Sequence, residues 1–240
     1  MADWLNRMAK HKIKKSHEDE ITVIIPAAGR GRRMKSYGPK PLINIGSCTI
    51  LQRQITMVKS IFPNARFVIV AGFEADKLMS STPKDFINLE NELYEQTNVC
   101  RSVSIALNAI DTERVLIIMG DLIFNDKALS TLDFHKSCIS ANIDINRDRE
   151  VGCIVSADDT LSNMMYDLDL KWNQIIYLQS KELDIFKTIC KKRKNNKLFL
   201  FEIINKVIDK GGKIKCIVND EVKVIDVDTS KDLLRAGSII

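Results

Sequence analysis

At 240 residues, with 45% hydrophobic and 28% charged residues, the chain is long enough to bury one core and too ordinary in composition for a disordered protein. The net charge of +5 is a weak hint of an anionic partner, and its uneven spread matters more than its sum. No apolar run approaches the ~20 residues of a membrane span, and the six cysteines contain no CxxC pair, which sets aside a zinc cluster and a redox dithiol.

Residues 1–20 are polar and basic, with Arg7, Lys10, Lys12, Lys14 and Lys15, and read as a leader before a single domain over 21–240. They lack the apolar centre of a secretory signal, and scattered thiols fit a reducing compartment, so a cytoplasmic protein is expected. Thr22 to Ile25 form a β-branched run that breaks at Pro26 into Ala27, Ala28, Gly29, Arg30, Gly31, Arg32 and Arg33, a buried strand entering a glycine loop. Ile50, Leu51, Ile55, Val58, Ile61 and Phe62 recur at helical spacing, and Phe67 to Val70 form a second buried strand ending at Ala71 and Gly72. Val103, Ala106, Leu107 and Ile110 predict a helix, and Val115 to Met119 a third buried strand ending at Gly120 and Asp121.

Beyond Asp121 the pieces shorten, with strands expected at about 152–156, 164–170 and 174–179 and helices near 183–193 and 198–210. Strands near 213–218 and 222–227 follow, and Asp228, Thr229 and Ser230 open a last helix through Ala236. The run Lys191, Lys192, Arg193, Lys194 and Lys197 reads as a solvated helix end. No aromatic residues interleave with it as nucleic-acid stacking would need, so no nucleic-acid partner is expected.

Glycines after a buried strand let backbone N–H groups approach an anion, and three arginines in the same loop favour a polyphosphate over a neutral sugar. Pro39 and Pro41 set Lys40 on a stiff frame. The loop is neither GxxxxGK[ST] nor GxGxxG, since Met34 occupies the last glycine position. Asp121 stands where open α/β sheets place their ligand sites, although a turn or cap role explains it equally well.

Ala28 to Leu42 resembles the signature AAGxGxRM…PKxL of the nucleoside-triphosphate transferases, which include sugar-phosphate, phosphocholine and inositol-phosphate nucleotidyltransferases. The resemblance implies an α/β, Rossmann-like mixed sheet flanked by helices, of the nucleotide-diphospho-sugar transferase type. It implies that Ala27, Ala28, Gly29, Arg30 and Gly31 wrap a triphosphate, that Arg33 is the signature arginine, and that Lys40 steadies the α-phosphate. It makes Asp121 a magnesium ligand together with Asp226, which falls on the aspartate of the family's closing motif. Asp228 is a lower-ranked ligand candidate and, like Asp232, reads first as a cap or first-turn residue of the last helix.

Asn98 to Leu107 is similar to the base-bordering segment of cytidylyltransferase branches, with Ser102 as the base contact, and Gly72 resembles a family element beside the nucleotide. Asn98 as helix cap and Gly72 as turn residue remain open alternatives. Gln174 to Lys181 resembles a strand that delivers a second lysine, Lys181, to the phosphates. The likeness runs from Ile21 to Ala236 and thins at 182–197, where members carry a longer acceptor wall. That shortening suggests a small acceptor, an acceptor site completed by a second subunit in a homodimer, or a chain that has lost catalysis.

The function so implied is Mg²⁺-dependent transfer of a nucleoside monophosphate, with CTP favoured, to a small phosphorylated acceptor such as phosphocholine, inositol phosphate or a sugar phosphate, with release of pyrophosphate. A phosphate acceptor, with a second pKa near ~6, needs no general base, which suits a chain with three isolated histidines. Two other readings are a GT-A-type glycosyltransferase, against which Gly120-Asp121-Leu122 lacks a second acid, and a non-catalytic nucleotide-binding relative.

Overall fold

The computed structural model describes residues 20–31, 38–143 and 150–239. Strand β1 (Thr22–Ala27) is buried along its whole length and leads to a 3-10 turn at Lys40–Leu42 and a two-residue ribbon of β2 (Asn44–Ile45) and β3 (Cys48–Thr49). Helix α1 (Ile50–Ile61) starts from a capping box in which Thr49 and Gln52 satisfy each other's backbone N–H. Then come β4 (Arg66–Ala71), α2 (Ala75–Ser80), β5 (Ile87–Glu90), α3 (Val99–Ala109), β6 (Arg114–Ile118), β7 (Leu122–Phe124) and α4 (Lys127–Ser130). The second half holds β8 (Cys138–Ile143), β9 (Val151–Val155), β10 (Leu161–Tyr166) and β11 (Leu170–Gln179). After these lie α5 (Ser180–Cys190), α6 (Leu200–Asp209), β12 (Lys215–Val218), β13 (Val224–Asp226) and α7 (Ser230–Ala236).

The main sheet has the order β10-β9-β11-β6-β1-β4-β5, with β8 paired to β11 and β12 to β8. Strands β6, β1, β4 and β5 are parallel, whereas β11 runs antiparallel to β6. The expected α/β mixed sheet flanked by helices is therefore the observed fold. Alternation along the central strands divides the core. Ile24, Val68, Val70, Val115 and Ile117 face a layer containing α3, α5 and α6. Val23, Ile25, Phe67, Ile69, Leu116 and Ile118 face the opposite layer, with Leu51 and Val58 of α1 and with Phe124.

The pairing of β1 with β6 ends at Ile24–Ile117. Two residues later Pro26 has no N–H to donate, and its carbonyl accepts from the Gly120 N–H at 3.1 Å. The strands part there, so the carboxyl ends of β1 and β6 open into a cleft.

Candidate active site

Asp121 follows β6 on the turn Met119-Gly120-Asp121 that leads into β7. The turn is held from beneath by buried Gln54 of α1, whose Nε2 donates to Met119 O at 2.9 Å and Leu122 O at 2.8 Å. Strand β13 pairs antiparallel with β7, placing Asp226 opposite Leu122, and the Val227 N–H donates to Asp121 O at 3.0 Å. This short second sheet brings two acidic segments together from opposite ends of the domain. Gln54→Leu strips the amide from two inward carbonyls and is expected to cost about 1–3 kcal/mol, read as a lower urea midpoint with unchanged m-value.

Asp121, Asp226 and Asp228 each present an oxygen, and the three lie within 4.8 Å of one another. Lys40 enters from the facing side. Its Nζ is 2.9 Å from Asp121 Oδ2 and 2.5 Å from Asp228 Oδ1, and the side chain is only 11% exposed. The frame is local: Leu42 N donates to Pro39 O at 2.9 Å, Ile43 N to Lys40 O at 3.0 Å, and Pro41 is buried. Burial works against the ammonium, but the Asp121 charge and hydrogen bonds to Asp228 and Asp121 outweigh it and raise the lysine's pKa above its ordinary value.

Asp226 has one carboxylate oxygen, Oδ1, shut off from solvent. Burial, then the neighbouring Asp121 charge, pushes its carboxyl up to about 8, with Lys40 opposing. Gln174 Nε2 donates to its Oδ2 at 3.1 Å, while Oδ1 is buried without a hydrogen-bond partner. An orphaned carboxylate oxygen beside two more acids is a donor set of hard oxygens, and it fits a divalent cation such as Mg²⁺.

The glycine loop closes over this cluster. Gly31 sits at φ +54, and a Cβ there would stand 3.1 Å from Cγ and Cε of Lys40, so the loop packs directly on the lysine stem. A cavity of about 100 Å³ lies between them, lined by Ala27, Gly29, Gly31, Lys40, Met119 and Asp121 among others. Gly72 is needed for close approach, since a Cβ would lie 2.7 Å from Ala28 O. Ala28 O accepts from Phe73 N at 3.1 Å, joining the two loops. Arg30 turns away from the acids to pair with Glu95 at 2.9 Å, its guanidinium 6.0 Å from the Phe73 ring. Arg33 lies outside the described residues, as do residues 1–19 of the leader.

Other sequence candidates stand elsewhere. Asn98 is the N-cap of α3, its side chain accepting from Val99 N at 2.9 Å, and its backbone N–H donates to Asn196 O. Ser102 is 3% exposed and accepts from Asn91 Nδ2 at 3.1 Å, so as the protein stands it has no open face for a base. Lys181 departs furthest from expectation. Because β11 runs antiparallel to β6, with Gln179 opposite Arg114, α5 begins at the amino end of β6, on the order of 20 Å from Asp121 at about 3.3 Å per strand residue. There Lys181 Nζ donates to Gly211 O at 2.8 Å. Lys181→Ala is accordingly expected to leave turnover within about twofold of wild type in a steady-state assay.

The basic run is exposed just past a helix end, as its sequence reading expects. Helix α5 ends at Cys190, and a 3-10 turn at Arg193–Asn195 is pinned by buried Asn195, whose Nδ2 donates to Ile189 O at 2.8 Å. Arg193, Lys194 and Lys197 thus wall an open cavity of about 820 Å³ facing Glu95, Thr97 and Asn98. Asp228 also departs from its cap reading. Thr229 caps α7, and Asp232 closes the box by accepting from the Thr229 N–H at 2.7 Å, while the Asp228 carboxylate accepts from Lys40. Gln54 carries no motif and Gln174 lies in a segment read only for Lys181, so sequence reading missed both as site residues.

Residues 23–134 match the MobA-like NTP transferase domain. Among curated proteins, the bifunctional protein GlmU of Trichodesmium erythraeum is 38% identical over 83 residues, 32% of this chain and 17% of that protein. GlmU of Neisseria meningitidis serogroup C is 32% identical over 117 residues, 48% of this chain and 25% of that protein. The chain therefore spans a quarter or less of these two relatives. In fold it is similar to the CTP:phosphocholine cytidylyltransferase of Streptococcus pneumoniae, at a TM-score of 0.76 and 14% identity over 91% of this chain and 98% of that one. It is likewise similar to the inositol-1-phosphate CTP transferase of T. maritima, at a TM-score of 0.72 and 17% identity over 90% and 94% of the two chains. Among the described residues no helix is long and apolar enough to cross a membrane. The first half of the chain is thus similar to the MobA-like NTP transferase domain, and the fold as a whole is that of the nucleotidyltransferase structures.

Proposed function

We propose that this protein transfers a nucleoside monophosphate, CMP in preference, from an NTP to a small phosphorylated acceptor and releases pyrophosphate. The observation that carries the reading is the meeting of Lys40 with Asp121, Asp226 and Asp228 beneath a glycine loop at the carboxyl ends of β1 and β6. A triphosphate laid on that loop receives backbone N–H groups from Gly29 to Gly31 and the Lys40 ammonium, while the acids hold Mg²⁺. When bound, the metal neutralises phosphate charge and aligns the reacting groups. Lys40, already in a poorly hydrated position, stabilises the charge that develops at the α-phosphate.

The acceptor phosphate attacks the α-phosphorus in line and pyrophosphate leaves. Neither a protein nucleophile nor a general base is required, because the acceptor is largely dianionic at neutral pH, with a second pKa near ~6. The fold likeness to two CTP-using transferases supports CTP. The open cavity beside Arg193, Lys194 and Lys197 supports an anionic acceptor. Six free cysteines favour work in the reducing cytoplasm. Pyrophosphate release from each of four NTPs, assayed with phosphocholine, inositol phosphate and sugar phosphates, tests the reading. CTP with one of these acceptors is expected to give the highest rate, and absence of pyrophosphate from every pairing refutes the proposal.

A further inference from the structure

Lys40 sets one ammonium against two of three clustered carboxylates. Lys40 Nζ sits between Asp121 Oδ2 and Asp228 Oδ1 at 2.9 and 2.5 Å, while the three acids already stand close enough to ligate a common ion. A hard divalent ion binds carboxylates at about 2.0–2.6 Å, so a cation that draws on Asp121 and Asp228 competes with the ammonium for the charge of both. The remaining acid, Asp226, keeps an unpartnered Oδ1 buried against the cluster, so the ammonium leaves one donor of the set unsatisfied.

We infer that Lys40 is a built-in competitor at the metal site: its ammonium holds Asp121 and Asp228 and is displaced from them when a divalent cation binds there. The inference rests on the reading of this cluster as the metal site of a nucleotide-binding loop, and it adds a competition for two of its acids. The chain supports such an exchange mechanically. The Lys40 backbone is fixed by its proline-flanked turn and its stem lies against Gly31, so rotation of the terminal methylenes alone carries Nζ from the acids towards the loop. Phosphate oxygens on the loop would draw the ammonium up at the moment they supply further metal ligands. Cation and triphosphate then bind cooperatively, each removing the obstacle to the other.

The test is Mn²⁺ binding to the full chain without nucleotide, followed by EPR of free Mn²⁺ and by calorimetry, for wild type, Lys40→Met and Lys40→Arg. Lys40→Met keeps the length of the stem and removes the charge. It is expected to bind Mn²⁺ at least tenfold more tightly than wild type, with a larger Mn²⁺-induced rise in Tm. Lys40→Arg, which retains a cation, is expected to bind no more tightly than wild type. Equal or weaker Mn²⁺ binding by a folded Lys40→Met, checked by circular dichroism, overturns the inference, as does equal tightening in both variants. If Lys40→Met fails to fold, Asp228→Asn serves. Removing one partner of Lys40 should loosen it, so Mn²⁺ affinity should fall by much less than for Asp226→Asn, which leaves both Lys40 contacts in place, and equal losses for the two would count against the exchange. Because no nucleotide is present, tighter Mn²⁺ binding can be found even if NTP transfer is not, so the two failures are distinguishable.

Discussion

Lys40→Ala is expected to lower kcat/KM for pyrophosphate release by about 10²–10³-fold, the loss seen when one preorganised donor to a developing negative charge is removed. The expectation follows from burial as much as from charge. The Lys40 side chain is 11% exposed, so its ammonium acts where water screens it little, and among the described residues it is the only lysine or arginine that lines the cavity beneath the glycine loop. The loss should fall mainly on kcat, because backbone N–H groups of the loop still bind ground-state phosphate. Lys40→Arg should not restore the rate: the planar fork is bulkier than an ammonium, and the lysine stem already lies within van der Waals distance of Gly31. Activity within threefold of wild type in Lys40→Ala would remove Lys40 from the chemistry.

Asp226→Asn is expected to separate stability from activity. In metal-free protein the folded carboxyl is pushed up to about 8, chiefly by burial and then by Asp121, whereas in the unfolded chain it titrates near ~3.9. A folded pKa above the unfolded one means that the native state holds an extra proton between these values. The associated stability is full below about pH 4 and is lost progressively as pH rises to about 8. Asparagine mimics the protonated acid and can still accept from Gln174. In EDTA at pH 8 the variant should therefore melt about 3–8 °C above wild type, from a gain on the order of 1–3 kcal/mol, and at pH 4 the two should coincide. Its transfer activity should fall at least about 10²-fold, because one of three metal-facing carboxylates is gone. A Tm at pH 8 equal to or below wild type contradicts the account of Asp226.

The parts of this molecule that are visible in its sequence are those whose physics is local. Thr22–Ala27, Arg66–Ala71 and Arg114–Ile118 are unbroken buried runs because helices cover both faces of a parallel sheet, and each lies within a residue or so of the expected span. Strand β8 was not legible: Ser140 and Ala141 sit buried in it, and Ser140 accepts a hydrogen bond from Asn173, so its pattern carries no apolar signal. Strand β7, three residues long, is too short for any periodicity, yet it sets Asp226 opposite Leu122, next to Asp121.

The same division holds at the site. Lys40 stands out because two prolines flank it, and Asp121 because it ends a buried strand. Asp228 reads as a cap because aspartate before Thr-Ser usually is one, and only the contact with a lysine far away in sequence shows its other use. Lys181 was expected at the phosphates because a motif gives spacing but not strand direction, and the antiparallel run of β11 carries it to the far end. Gln54 and Gln174 act through contacts that no neighbouring residue announces.

The most direct test of the central claim is ³¹P NMR of the full chain with Mg²⁺, CTP and a mixture of phosphocholine, inositol phosphate and sugar phosphates. The account predicts that the γ- and β-phosphorus signals of CTP are replaced by pyrophosphate while a CDP-linked product appears, and that both changes disappear in Lys40→Ala. Transfer from a UDP-sugar under the same conditions, with no pyrophosphate formed from any NTP, would contradict it.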